Sequence, residues 1–137
     1  MSAREHAGAE PPARPRIVLG VDLLENARLV ELHRRYGERF LRRVFTALEL
    51  QQAESRAERL VGRFAAKEAA AKALGTGMIT VAWREIEVLR TSGGKPALRL
   101  YGRAAARAAQ LGIEEFDVSI SDTRTHTVAV VVGVCGA

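Results

Sequence analysis

The chain has 137 residues, 47% hydrophobic and 27% charged, the make-up of an ordinary globular domain with one core. No apolar run approaches the ~20 residues of a membrane-spanning helix, the polar N-terminus lacks a secretory apolar stretch, and the lone Cys135 leaves no internal disulfide and no Cys/His zinc cluster; a cytoplasmic location is expected. A formal charge of +5 and a pI near 10.1 point to an anionic partner (nucleic acid, an acidic protein or phosphates) or to a surface kept basic for solubility.

Residues 1–15, MSAREHAGAEPPARP, read as a flexible leader to which no function is assigned, with one domain expected over 16–137. Arg16 to Asp22 is a short apolar run with β-branched residues, expected to be a buried strand. Helical spacing runs from about Glu25 to Tyr36, Gly37 breaks it, and short helices are expected from Glu38 to about Phe45 and from Leu48 to Ala53. Arg56 to Leu74 gives the strongest helical pattern, with Leu60, Val61, Phe64, Ala65 and Ala71 on an apolar stripe and Gly75 as its stop. Trp83–Arg90 and Ala97–Tyr101 are expected strands joined by the turn Ser92-Gly-Gly-Lys-Pro96. An Ala-rich helix follows from Gly102 to Gly112. Phe116 to Ser121 alternates apolar and polar, and Thr127 to Val134 is a valine-rich strand reached through a loop at 122–126. Mixed helices and hairpins predict an α+β fold, mainly antiparallel sheet packed with helices, with one long central helix.

Several residues stand out chemically. Of 21 basic residues only Lys67, Lys72 and Lys95 are lysine. A chain so biased toward Arg keeps Lys where a compact, rotatable charge is wanted. Asp22 ends the first apolar run and reads either as a carboxylate facing a cleft or, with Glu25 three residues on, as a capping-box variant. Glu68 extends the apolar stripe of the long helix, where a carboxylate is costly unless paired or metal-bound. It reads as a metal ligand or as the i,i+4 partner of Lys72. Arg63, Lys67 and Lys72, with Gly75-Thr-Gly77, form a candidate phosphate site, although no Walker A pattern occurs. Arg28, Arg34, Arg35, Arg39, Arg42 and Arg43 make the first two helices basic, as suits an acidic protein, a nucleic-acid backbone or a solvated face. His6, His33 and His126 form no constellation.

Together these segments resemble the holo-acyl-carrier-protein synthase family. The resemblance rests on Gly20-Val-Asp22 with Arg28, on Arg63-Phe-Ala-Ala-Lys67-Glu68-Ala-Ala-Ala-Lys72-Ala-Leu-Gly-Thr-Gly77, on Gly94-Lys95-Pro96, and on Val118-Ser-Ile-Ser121. It implies a 4'-phosphopantetheinyl transferase-like fold and transfer of 4'-phosphopantetheine from coenzyme A to a serine of apo-acyl-carrier protein. Adenosine 3',5'-bisphosphate leaves, Mg²⁺ is required, and the reaction serves fatty acid biosynthesis. By the same resemblance Asp22 and Glu68 bind the metal and act with Lys72 in catalysis. Arg63, Lys67, Lys72, Gly94, Lys95, Pro96, Ser119, Ser121 and Asp122 meet coenzyme A, while Arg28, Arg35, Arg39 and Arg42 meet the carrier protein. It also implies a homotrimer with sites between subunits, and neither a nucleic-acid nor a membrane partner. Asp122 stands where many relatives have His, and the general base is left open. The alternative is a non-catalytic basic domain that binds nucleic acid or carrier protein.

Overall fold

The computed structural model, which describes residues 17–136, contains five strands and five α-helices among them. The expected leader, and Arg16 with it, lies outside the described residues. Strand β1 (Ile17–Glu25) leads into helices α1 (Asn26–Tyr36), α2 (Glu38–Val44) and α3 (Ala47–Gln52), then the long α4 (Ala57–Ala73). A 3₁₀ turn (Trp83–Glu85) precedes hairpin β2 (Ile86–Arg90) and β3 (Pro96–Leu100). Helix α5 (Gly102–Leu111), β4 (Ile113–Asp122) and β5 (His126–Cys135) complete the chain. An antiparallel sheet in the order β1-β5-β4 and the β2–β3 hairpin flank α4. The α+β expectation therefore holds. Among the described residues no helix is long and apolar enough to cross a membrane.

Small residues bring sheet and helix together. The buried Ala65, Ala66, Ala69, Ala70 and Ala73 give α4 a low profile. Gly20 lies directly against it, and a Cβ there would sit 1.8 Å from the Ala69 carbonyl oxygen. The central helix is buried on more than its apolar stripe, because hairpin, sheet and α1 all pack on it.

Two expectations need correction. The first strand does not stop at Asp22; its pairing with β5 runs unbroken from Ile17–Val134 to Glu25–His126. The capping box read at Asp22–Glu25 is therefore absent, and Glu25 caps α1 with no side-chain hydrogen bond. A real capping box occurs at Thr46–Glu49, where the Thr46 N–H donates to Glu49 Oε1 at 2.8 Å. Nor is β1 buried on both faces. Gly20, Asp22 and Leu24 turn toward α4, while Leu19 and Leu23 point outward, 62% and 69% exposed. Val132 and Val128, their cross-strand partners on β5, and Val130 between them are only half-buried.

Candidate active site

Strand alternation and the close Gly20 contact place Asp22 against the C-terminal half of α4. Asp22 is 7% exposed, and its Oδ1 accepts from Lys72 Nζ at 3.3 Å. Oδ2 is buried with no hydrogen-bond partner. The helix presents Glu68 near the same carboxyl, close enough for the Asp22 charge to act on it. Burial first, then the neighbouring Asp22 carboxyl, push the Glu68 carboxyl up to about 7, while Arg28 and Lys72 pull the other way. An orphaned carboxylate oxygen beside a second, half-buried carboxyl is a donor set short of positive charge. A hard divalent cation with oxygen ligands fits it. Among the described residues no cluster of three or more His, Cys, Asp or Glu could hold a metal, so such an ion would complete its shell from substrate and water.

Lys72 does not form the i,i+4 pair with Glu68. Its ammonium reaches across to β1, donating to the Val21 carbonyl at 2.9 Å as well as to Asp22. Arg28, in the first turn of α1, is exposed, and its charge acts to lower the Glu68 pKa.

Lys67 requires a correction. Expected as a phosphate contact, it is fully buried, and all three ammonium hydrogens are used: on Glu49 Oε1 at 2.7 Å, on the Trp83 carbonyl at 3.0 Å and on the Ile86 carbonyl. Adjacent helical residues point about 100° apart, so Glu68 faces the sheet while Lys67 faces the hairpin. Arg63 is divided between roles. It donates to the Glu49 carbonyl at 2.8 Å and to Gln52 Oε1 at 3.0 Å, yet it also lines a cleft.

That cleft, about 450 Å³, runs along the N-terminal half of α4 between the hairpin and the β4–β5 turn, within the size range of small-molecule sites. Arg59, Arg63, Arg90 and Arg124 line it, with Gly94 and Pro96 from the hairpin turn and Asp122 from the end of β4. Lys95 and Ser119 line a neighbouring depression with Val130 and Val132 on the outer sheet face, where Lys95 pairs with Asp117 at 2.7 Å. Ser121 is exposed on that face. The sequence reading missed Arg59, Arg90 and Asn26. An i,i+4 basic row, Arg59–Arg63, was the available signal for the first; nothing in the sequence brings Arg90 or Asn26 to the cleft. Arg35, Arg39 and Arg42 are exposed, away from ion pairs among the described residues, and Arg35 lies over the Tyr36 ring at 5.5 Å. His33 binds Glu38 at 2.9 Å and His126 binds Thr125 at 2.9 Å.

An arginine-lined cleft leading along one helix to a cation-seeking carboxylate pair defines a class: a centre for group transfer from a phosphorylated ligand. Residues 18–131 match the model of the 4'-phosphopantetheinyl transferase superfamily. The holo-[acyl-carrier-protein] synthase of Herpetosiphon aurantiacus is 48% identical over 124 residues, covering 85% of this chain and 98% of that protein. Two solved structures share the fold. The Helicobacter pylori holo-[acyl-carrier-protein] synthase in complex with coenzyme A has a TM-score of 0.76 and 26% identity, covering 84% of this chain and 98% of the other. The ACPS-CoA complex of Chronobacterium ammoniagenes has a TM-score of 0.75 and 32% identity, covering 90% and 100%. The chain belongs to the 4'-phosphopantetheinyl transferase superfamily, among its holo-[acyl-carrier-protein] synthases.

Proposed function

We propose that this chain transfers 4'-phosphopantetheine from coenzyme A to a serine of an apo-acyl-carrier protein in the cytoplasm, supplying carriers for fatty acid biosynthesis. The serine oxygen bonds to the β-phosphorus, the bond from that phosphorus to the bridging oxygen breaks, and adenosine 3',5'-bisphosphate leaves with that oxygen. The observation that carries this reading is the unpartnered Asp22 Oδ2 beside a Glu68 carboxyl raised to about 7. Asp22 and Glu68 would hold Mg²⁺. Bound there, the ion neutralises charge on the pyrophosphate and lowers the pKa of water in its shell.

The chain's own residues do the rest. Lys72, half-exposed and tethered to Val21 and Asp22, offers a positive charge to the leaving phosphate. Glu68 lies five residues beyond Arg63, ~7.5 Å along the helix axis. An extended anionic substrate can therefore lay its nucleotide in the arginine-lined cleft and its pyrophosphate near the carboxylates. Asp122, Gly94 and Pro96 would meet the nucleotide from the cleft wall, with Lys95, Ser119 and Ser121 at the adjoining outer face. Exposed Arg28, Arg35, Arg39 and Arg42 would steer an acidic carrier. The proton of the serine passes to water or to a carboxylate of the pair, since His33 and His126 hydrogen-bond elsewhere.

The outer sheet face supports a homotrimer with sites between subunits. Leu19, Leu23 and Ile17 are each more than 60% exposed in a single chain, and burying such a side chain contributes roughly 1.5–3 kcal/mol. Lys95 and Ser119 border that face, so a neighbouring chain would help to complete the nucleotide end. Incubation with apo-carrier, coenzyme A and Mg²⁺ should leave the carrier heavier by one phosphopantetheine arm. An unchanged mass with folded enzyme and several carriers overturns the proposal.

A further inference from the structure

Asn26 opens α1 and belongs to none of the motifs above, yet its hydrogen-bonding capacity is spent on one feature. Its Nδ2 donates to the Thr123 carbonyl at 3.0 Å and to the Arg124 carbonyl at 3.2 Å. Its Oδ1 accepts from Thr127 Oγ1 at 2.7 Å, and its backbone N–H donates to the Thr125 carbonyl at 2.9 Å. All four bonds go to the β4–β5 turn and to Thr127 near the start of β5. The turn also closes on itself: Asp122 pairs with Thr127, the Thr123 N–H donates to the His126 carbonyl at 2.8 Å, and the Thr125 and His126 amides donate to Thr123 Oγ1 at 3.3 and 3.1 Å. Asn26 thus holds the turn from outside the hairpin, and Thr127, buried at the base of β5, locks the amide's orientation.

The held turn carries chemistry. Asp122, at the end of β4, and Arg124, within the turn, line the cleft with Asn26 and Thr127, as do Arg59 and Arg63 of α4. One is an anion and the other a cation. What an anionic ligand meets on this wall therefore depends on where the turn sits, and a rotation that advances Asp122 would weaken binding where one that advances Arg124 would strengthen it. We infer that Asn26 is a positioning residue for coenzyme A, fixing the β4–β5 turn so that Arg124 and Asp122 present a set face to the nucleotide. The inference rests on the transferase reading above and adds to it a residue that acts on one substrate alone.

The test compares Asn26→Ala, Thr127→Val and Thr127→Ser with the wild-type full chain. Coenzyme A binding is measured by calorimetry, both KM values and kcat by carrier mass shift, and turn order by amide exchange. Asn26→Ala should weaken coenzyme A binding and raise its KM about tenfold, the size expected from losing one to two net hydrogen bonds. Its kcat and its carrier KM stay within about twofold, and exchange at Thr125 and His126 quickens. Thr127→Val, which frees the amide but leaves its two donors, should cost about threefold, and Thr127→Ser, which keeps the hydroxyl, should match the wild type. Unchanged coenzyme A affinity in Asn26→Ala overturns the inference. So does a parallel loss of kcat, carrier affinity and melting temperature in Asn26→Ala and Thr127→Val, which would make the contact a structural one. A wild-type chain that binds no coenzyme A overturns the transferase reading itself, and this inference with it.

Discussion

Helix α4 carries two lysine–carboxylate centres on different sides, and they are built oppositely. At Lys67–Glu49 everything is satisfied. The ammonium has three acceptors, Glu49 Oε1 also accepts from the Thr46 N–H, and Oε2 accepts from the Val88 N–H at 3.0 Å. At Asp22–Glu68–Lys72 the one half-exposed lysine pairs with Asp22 and not with Glu68, and an Asp22 oxygen is left without a partner. A closed network fixes α3, α4 and the hairpin relative to one another. An open one holds a vacancy in charge that a ligand can fill. Complete satisfaction suits a structural contact, and the incomplete one is the centre to which the proposed transfer is assigned.

The largest effect should come from breaking the closed centre. Lys67→Met leaves Glu49 buried and unpaired, at a cost of about 3–5 kcal/mol, which corresponds to a fall of roughly 10–20 °C in Tm for a domain of this size. Thermal melts check this, and pairing it with Glu49→Leu should restore most of the loss because two apolar groups need no partners. A Lys67→Met protein that melts like the wild type would mean that the network does not hold the fold.

The open centre should behave in reverse. Glu68→Gln removes like-charge repulsion next to Asp22, so Tm holds or rises, while transfer to the carrier falls about 10²–10³-fold, the scale of losing one group that stabilises transition-state charge. Initial rates at saturating coenzyme A, beside a melting curve, separate the two centres. Full activity in Glu68→Gln removes Glu68 from the metal site.

Gly20→Ala is smaller and sharpens the contrast. The added methyl meets the Ala69 carbonyl oxygen at 1.8 Å, so β1 must lift from α4 at about 1–3 kcal/mol. The shift carries Asp22 away from Glu68 and leaves Lys67–Glu49 untouched. Mg²⁺ affinity should therefore drop further than Tm suggests, which equilibrium dialysis can measure.

The difference between these centres is also the limit of what the sequence shows. Glu68 on an apolar stripe and the scarcity of lysine were both readable, and both point to helix α4. They could not separate Lys67 from Lys72, because the partners that decide the matter, Glu49 and Asp22, are distant in sequence and reach α4 only through the fold. The strands and helices were legible because alternation and helical spacing are local. The end of β1 was not, since residues 23–25 stay extended by pairing with β5 about a hundred residues later. The cleft was hidden for the same reason: Arg59, Arg90 and Arg124 belong to three elements that only packing brings together.

The smallest effect is set by pH. Glu68 is the group whose carboxyl folding raises, from 4.5 to about 7. In that window the native chain holds a proton that the unfolded chain has released, so metal-free stability declines as pH rises from about 4.5 and levels off above about 7. Solvent screening at a half-exposed carboxyl keeps the decline modest. Lys67 has the opposite sign at the other end of the scale. Burial lowers its pKa below 10.5, so wherever the folded chain has lost that proton and the unfolded chain has not, stability rises with pH. Mg²⁺ should erase the first slope, because it replaces the Glu68 proton, and should leave the second alone. Melting temperatures across pH with chelator and with Mg²⁺ therefore report on the two centres separately. A lower slope that persists in saturating Mg²⁺ would place the ion away from Glu68.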